Sequence, residues 1–240
     1  MDAALLVKIP CLLLVTYCLQ ISFTAPTPRA TVHDGAVIKS SCERMLRFVT
    51  ASICHWRRSL WIAAAAEILV IVAKSVPELP LSDAILSTLL IGQEEHRIRL
   101  TGAAVMAVPL GIIGAAIRAW CYRELGKHFT YELTIRKDHN LITTGPYSVV
   151  RHPSYTGVIV NMFVIYLLHG TKGSWVRESG LMANLLGNVV VYGFAAYTVM
   201  FFVGLMKRTK EEDRELRSRF GKEWEDWAAR VPYSLVPGII

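Results

Sequence analysis

The sequence predicts an all-α fold, a polytopic transmembrane helical bundle of about five membrane helices with polar cytoplasmic loops and a C-terminal amphipathic helix. Composition carries the first part of that expectation. Hydrophobic residues make up 53% of the 240 residues, charged residues only 19%, and the mean hydropathy is +0.38, unusual for a water-soluble domain of this size. The apolar residues are also gathered into blocks that reach or approach the roughly 20 residues a helix needs to cross hydrocarbon. These blocks lack the alternation of barrel strands, and backbone groups in lipid must be satisfied within the segment, so the blocks read as helices.

The membrane segments fall at about residues 4–23, 60–76, 100–119, 155–169 and 184–206. A signal peptide also begins with an apolar stretch, but here the basic flank is the single Lys8, preceded by Asp2, and the run is long for a signal core. A retained helix is expected. Residues 24–58 form a connector with Pro26 and Pro28 that ends in a short amphipathic stretch around 42–53. The apolar stretch 81–92 is too short to cross alone and is bounded by Pro80 and a polar run from Gln93 to Arg97, so it reads as a half-helix or interfacial segment. Gly102, Gly111 and Gly114 in the third membrane helix allow close helix approach.

Beyond residue 118 the vocabulary changes, and the chain divides into residues 1–117, membrane helices and connector, and 118–240, where polar motifs alternate with helices. Residues 130–135 suggest a short extended segment, and Thr144, Gly145, Pro146 and Tyr147 suggest a turn. Pro153 heads the next apolar run, where a first helical turn loses no hydrogen bond to proline. After a helix expected to end at Met206 comes a charged amphipathic tail. In it Leu205, Leu216, Phe220, Trp224 and Trp227 fall at helical spacing, Gly221 offers a break, and the aromatic residues are expected in the membrane interface.

Charge sets the orientation. With five helices and a cytoplasmic C-terminus, the inside segments hold the basic residues of 29–58, 118–151 and 207–230, leaving only Lys74, Arg97, Arg99, Lys172 and Arg177 outside. Basic loops facing an anionic leaflet also explain the net charge of +7 without nucleic acid. The cysteines, Cys11, Cys18, Cys42, Cys54 and Cys121, show no C-x-x-C spacing and no neighbouring His pairs, which argues against a zinc site or a disulfide framework.

Two polar clusters stand out. Arg151, His152, Pro153, Ser154 and Tyr155 sit at the mouth of a membrane helix, where charged and imidazole groups default to a functional reading. On the residues alone, a bland reading stands beside it, with Arg151 reaching to phosphates and Tyr155 in the aromatic belt. The run from Arg208 to Arg214 follows the last membrane helix. By itself it reads most simply as a solvated charged helix start, but it emerges on the same side as His152.

Together these motifs resemble the isoprenylcysteine carboxyl methyltransferase family. The resemblance runs from His139 through Gly145, Pro146 and Tyr147 to Arg151, His152, Pro153, Ser154, Tyr155 and Gly157. It resumes after a helical hairpin at Arg208, Thr209, Glu211 and Glu212, then Phe220, Gly221, Trp224, Val231 and Pro232. Lys210 stands where an acid is common in that family.

The resemblance implies methylation, with S-adenosylmethionine, of the C-terminal carboxylate of a prenylated cysteine to give a methyl ester. The enzyme would be multi-pass in the endoplasmic reticulum. The cofactor would be held by His139, Asn140, Leu141, Ile142, Tyr147, His152, Pro153, Ser154, Tyr155 and Glu212, with Glu132 as a further contact. Arg208 would bind the substrate carboxylate, and no metal is implied. A carboxylate is already nucleophilic at neutral pH, so no triad is required, only alignment; a guanidinium offers it a planar two-donor fork. The partners implied are the prenylated cysteine and membrane lipid. Alternative readings are a phospholipid or other small-lipid methyltransferase, a sterol oxidoreductase using a nicotinamide cofactor, and a non-catalytic membrane scaffold.

Overall fold

The computed structural model describes residues 3–24, 41–91, 97–126 and 140–239, with the side chains of 41–50 left undescribed. Every regular element among the described residues is helical: α1 (Ala3–Ser22), α2 (Ser41–Ser75), α3 (Ser82–Leu89), α4 (Gly102–Leu125), α5 (Pro153–Ile165), α6 (Trp175–Glu178), α7 (Leu185–Phe220) and α8 (Lys222–Arg230). Among the described residues, four stretches are long and apolar enough to cross a membrane: Ala4–Ser22, Gly102–Leu125, Pro153–Glu178 and Leu185–Phe220. The chain is an integral, multi-pass membrane protein.

The expected segment 60–76 lies within α2 but is not one of these four, because Glu67 and Lys74 interrupt it and Arg57 and Arg58 precede it. The amphipathic stretch around 42–53 belongs to the same helix instead of standing apart. The half-helix expected at 81–92 is the eight-residue α3. Pro153 is the first residue of α5, as its position in the sequence predicts. The last membrane helix does not stop at Met206. It continues as α7 to Phe220, because the polar run that follows is built of good helix formers. It ends where Gly221 takes a positive φ of 52°. The expected extended segment at 130–135 lies outside the described residues.

The chain forms two compact units. The first comprises Met1–Gln20, Cys54–Ile112 and Val160–Tyr197. In it Lys8, Leu12, Val15 and Leu19 of α1 recur at helical spacing and are buried. Lys8 is 1% exposed and pairs with Glu67 of α2, itself 0% exposed. Its ammonium also donates to the carbonyls of Arg99, at 2.9 Å, and Gly173, at 2.7 Å. The other Glu67 oxygen accepts the Trp175 N–H at 3.0 Å. One ion pair therefore joins two helices to two loops, and the loops meet through the Arg99 N–H on the Gly173 carbonyl at 3.1 Å. Gly173 has φ +88°, and a Cβ there would lie 2.7 Å from Thr101 Cγ2. Trp56 stacks on Phe194 with centroids 5.5 Å apart.

The second unit comprises Ile21–Ile53, Ile113–Ile159 and Thr198–Ile240. Its core is Cys121, Tyr147, Trp227 and Val231, with Ile117, Leu125, Leu141, Ile142 and Trp224 packed against it. The tail aromatic residues thus do not all serve a membrane interface. Trp227 is 2% exposed, and its indole N–H donates to the Tyr147 carbonyl at 3.1 Å. An amphipathic helix buries its apolar face against whatever surface is at hand, and here protein supplies it.

Lys8→Met is expected to lower the thermal unfolding midpoint in detergent, by a destabilisation of about 3–5 kcal/mol, because it leaves the Glu67 charge buried without its partner. The double variant with Glu67→Met should recover most of that loss. A double variant no more stable than the single one would show that the pair is not the source of the cost.

Candidate functional site

The second unit brings together the two polar clusters that the sequence holds more than fifty residues apart. The turn Gly145–Ser148 leads toward the motif, with Gly145 at φ +58°, where a Cβ would lie 2.9 Å from the Glu124 carboxyl carbon. The Glu124 carboxylate accepts the Thr144 hydroxyl across the same turn. The backbone of the motif is then pinned by the C-terminal tail: the Arg151 N–H donates to the Tyr233 carbonyl at 3.0 Å, and the His152 N–H to the Ser234 carbonyl at 2.8 Å. The Thr156 hydroxyl donates to the Leu235 carbonyl at 2.6 Å.

The facing surface comes from α7. Phe201, Gly204, Leu205, Arg208 and Thr209 form its buried stripe, and the next turn carries Glu212 and Asp213. Arg208 and Glu212 are four residues apart and so share a face. The His152 Nε2 lies 3.0 Å from Asp213 Oδ1, and the Arg151 Nε donates to Asp213 Oδ2 at 3.3 Å. The Arg151 Nη1 adds bonds to the carbonyls of Val231, at 3.0 Å, and Pro232, at 2.6 Å. The Tyr155 hydroxyl donates to Glu212 Oε2 at 2.7 Å, and the His152 Nδ1 lies 3.7 Å from the same oxygen. The His152 and Tyr155 rings are near parallel, 7° apart in plane with centroids 5.5 Å apart.

Among the residues the sequence singles out, the structure bonds Tyr155 to Glu212 and sets the His152 ring near the same oxygen. Arg208, 7% exposed, lies close enough to Tyr155 to bear electrostatically on its phenol. Pro153 and Ser154 are buried in the first turn of α5, and the Ser154 hydroxyl accepts a bond from Arg118. Tyr147 is largely enclosed in the core of the unit. Burial, reinforced by the nearby Cys121 and Glu212, holds its phenol well above the usual tyrosine range, so it is a neutral donor. Leu141 and Ile142 pack on that core, and Asn140 is exposed. Glu132 and His139 lie outside the described residues.

Three participants go beyond the sequence-based set. Asp213 holds His152 and Arg151 together, although the sequence offers it only as one more acid in a charged run. Arg118 reaches the motif from α4. The carbonyls of 231–235 act through the backbone, for which side-chain identity leaves no signal.

Residues 107–188 match the model of the isoprenylcysteine carboxyl methyltransferase family. The chain is similar to protein-S-isoprenylcysteine O-methyltransferase B of Arabidopsis thaliana, 28% identical over 123 residues that cover 50% of this chain and 53% of the relative. It is similar also to a probable protein-S-isoprenylcysteine O-methyltransferase of Oryza sativa subsp. indica, 31% identical over 123 residues covering 50% and 54%. A Delta(14)-sterol reductase of Neurospora crassa is 29% identical over 127 residues, 47% of this chain and 26% of that protein. The chain therefore spans about half the length of the two transferases it matches. The family match includes Tyr147 and the motif from Arg151 to Tyr155 but ends before Arg208, Glu212 and Asp213. What ties those three to the motif is the set of contacts described above.

Asp213→Ala is expected to destabilise the protein more than Glu212→Ala, by about 1 kcal/mol or more, because it removes an acceptor shared by Arg151 and His152. Thermal midpoints of the two variants in the same detergent check this. Equal midpoints would mean that Asp213 contributes no more to the fold than its neighbour.

Proposed function

We propose that the chain is a protein-S-isoprenylcysteine O-methyltransferase, using S-adenosylmethionine to methylate the C-terminal carboxylate of a prenylated cysteine. The observation that carries the reading is the junction of the family motif with the acids of α7: Tyr155 on Glu212 at 2.7 Å and His152 on Asp213 at 3.0 Å. This junction gathers chemistry suited to a ligand that bears a positive sulfonium, an ammonium, a carboxylate and an adenine ring. The Glu212 carboxylate, on a side chain 30% exposed, suits the positive groups. The stacked His152 and Tyr155 rings offer the cofactor an aromatic surface, and beside them the buried Arg208 offers a guanidinium for the carboxylate of the acceptor. The residues present fit the group.

In this reading His152, Tyr155 and Glu212 hold the cofactor, with Asn140, Leu141, Ile142, Tyr147, Pro153 and Ser154 lining or supporting its place and Glu132 and His139 adding contacts. When bound, S-adenosylmethionine supplies an activated methyl group. The chain supplies alignment. The substrate carboxylate needs no base, so Arg208 has only to present one of its oxygens along the line of transfer, with charge-assisted bonds to both. An over-tight grip would favour the ground state, so the role of Arg208 is orientation.

The membrane setting fits the acceptor. A prenyl chain favours hydrocarbon by about 0.8 kcal/mol per buried methylene, so the substrate arrives from the bilayer. The polar cofactor arrives from the cytosol, which places the C-terminus of the chain on the cytoplasmic side. The resemblance to the isoprenylcysteine carboxyl methyltransferases implies the endoplasmic reticulum as its membrane. Residues 118–240 form the methyltransferase region and residues 1–117 the membrane helices that accompany it.

Detergent-purified protein incubated with labelled S-adenosylmethionine and farnesylated N-acetylcysteine is expected to yield a base-labile methyl ester. Saturable cofactor binding without ester would point to a phospholipid acceptor, and absence of binding would point to a scaffold. Arg208→Ala should abolish transfer while leaving cofactor binding within about twofold, whereas His152→Ala and Glu212→Ala should each weaken cofactor binding by about tenfold. Equal loss of cofactor affinity in all three would overturn this division of roles.

A further inference from the structure

We infer that Arg118 and Ser154 form a positioning pair, through which the end of α1 and the body of α4 seat the first turn of α5 and thereby aim the His152 and Tyr155 rings. The inference rests on the proposed methyltransferase reading and gives Ser154 a different task from direct cofactor contact. Ser154 lies between Pro153 and Tyr155, and its hydroxyl accepts from Arg118 Nη1 in a buried setting. The Arg118 Nε donates to the Ser22 carbonyl at the end of α1, at 3.0 Å. Its guanidinium lies 4.6 Å over the Tyr122 ring, and the Tyr122 hydroxyl donates to the same Ser22 carbonyl at 2.9 Å.

A guanidinium is planar and its donors point in fixed directions, so two bonds made from one such group relate their acceptors rigidly. Ser22 and Ser154, 132 positions apart in the sequence, are thus set relative to each other by one side chain. The approach of α4 to α5 that this needs depends on Gly157. A Cβ at Gly157 would lie 2.9 Å from Arg118 Cγ and 2.9 Å from the Gly114 carbonyl oxygen, so the absence of a side chain lets the Arg118 stem lie against α5. Beside the tail carbonyls that pin its backbone, the first turn of α5 is consequently held through its side chains from two further directions. Ser154 is held by Arg118 from α4, and Tyr155 and His152 are held by the acids of α7. Releasing the first hold leaves the backbone of the motif pinned by the tail carbonyls and the rings attached through the acids, so their orientation toward a ligand depends more on the ligand itself.

The test uses the full chain in detergent, with labelled S-adenosylmethionine and farnesylated N-acetylcysteine, and determines kcat and both KM values together with the thermal midpoint. Ser154→Ala and Arg118→Lys are each expected to raise the KM for S-adenosylmethionine about tenfold, while the KM for the prenylcysteine stays within about twofold. Because both variants cut one link, the double variant should resemble the more affected single variant. Ser154→Thr, which keeps the hydroxyl, should restore most of the cofactor KM. A wild-type cofactor KM in Ser154→Ala would overturn the inference, even if Arg118→Lys fails to fold. So would equal rises in both KM values, or additive effects in the double variant. If the wild-type protein neither binds nor uses S-adenosylmethionine, the proposed function fails and this inference falls with it; wild-type turnover with unaffected variants sinks the positioning pair alone.

Discussion

The bridge that Asp213 makes between Arg151 and His152 is the contact on which the rest of the site depends. One oxygen meets the guanidinium and the other the imidazole, so a single carboxylate fixes two consecutive side chains of the motif from Arg151 to Tyr155. The remaining Arg151 donors turn to the Val231 and Pro232 carbonyls, which brings the tail alongside the motif and allows the backbone pairing of 151 and 152 with 233 and 234. The tail in turn follows α8, whose Trp227 closes the core against Tyr147. Each step leaves the next with little freedom, since a buried polar group without a partner is costly.

The same constraint organises the other unit with different residues. Lys8 and Glu67 would each be expensive in an apolar surround, and they are tolerated as a pair whose surplus hydrogen-bonding capacity is taken up by backbone of two loops. In both units, charge is placed where apolar packing alone would leave loops unspecified. Apolar surfaces slide past one another at little cost, but a charged pair with further directional bonds admits few alternatives.

Hydropathy made the membrane helices legible, because long apolar runs have few other uses, and the position of Pro153 and the break at Gly221 were readable from backbone chemistry. The continuation of α7 past Met206 was not, since the change from apolar to charged residues marks a change of surroundings and not an end of the helix. Lys8 read as a flanking charge because its partner, Glu67, is far away in sequence. In the site, His152, Tyr155 and Glu212 were visible through a motif. Asp213 was hidden beside an equally acidic neighbour, and Arg118 beside a helix end with several basic residues. The tail carbonyls could not be seen at all, for any sequence carries them.

The two adjacent acids of α7 show why the distinction between them had to come from geometry. On a helix, neighbours point about 100° apart, so Glu212 and Asp213 cannot serve the same partner in the same way. Asp213 is the less exposed, at 19% against 30%, and both of its oxygens are engaged by the motif. Glu212 meets the motif through Oε2 alone and shares its face with Arg208, one turn earlier. A carboxylate committed on both oxygens has little left for a ligand, whereas one held by a single phenol is oriented and still able to accept. The proposed cofactor contact therefore falls to Glu212, and Asp213 keeps His152 in the place where that contact can be made.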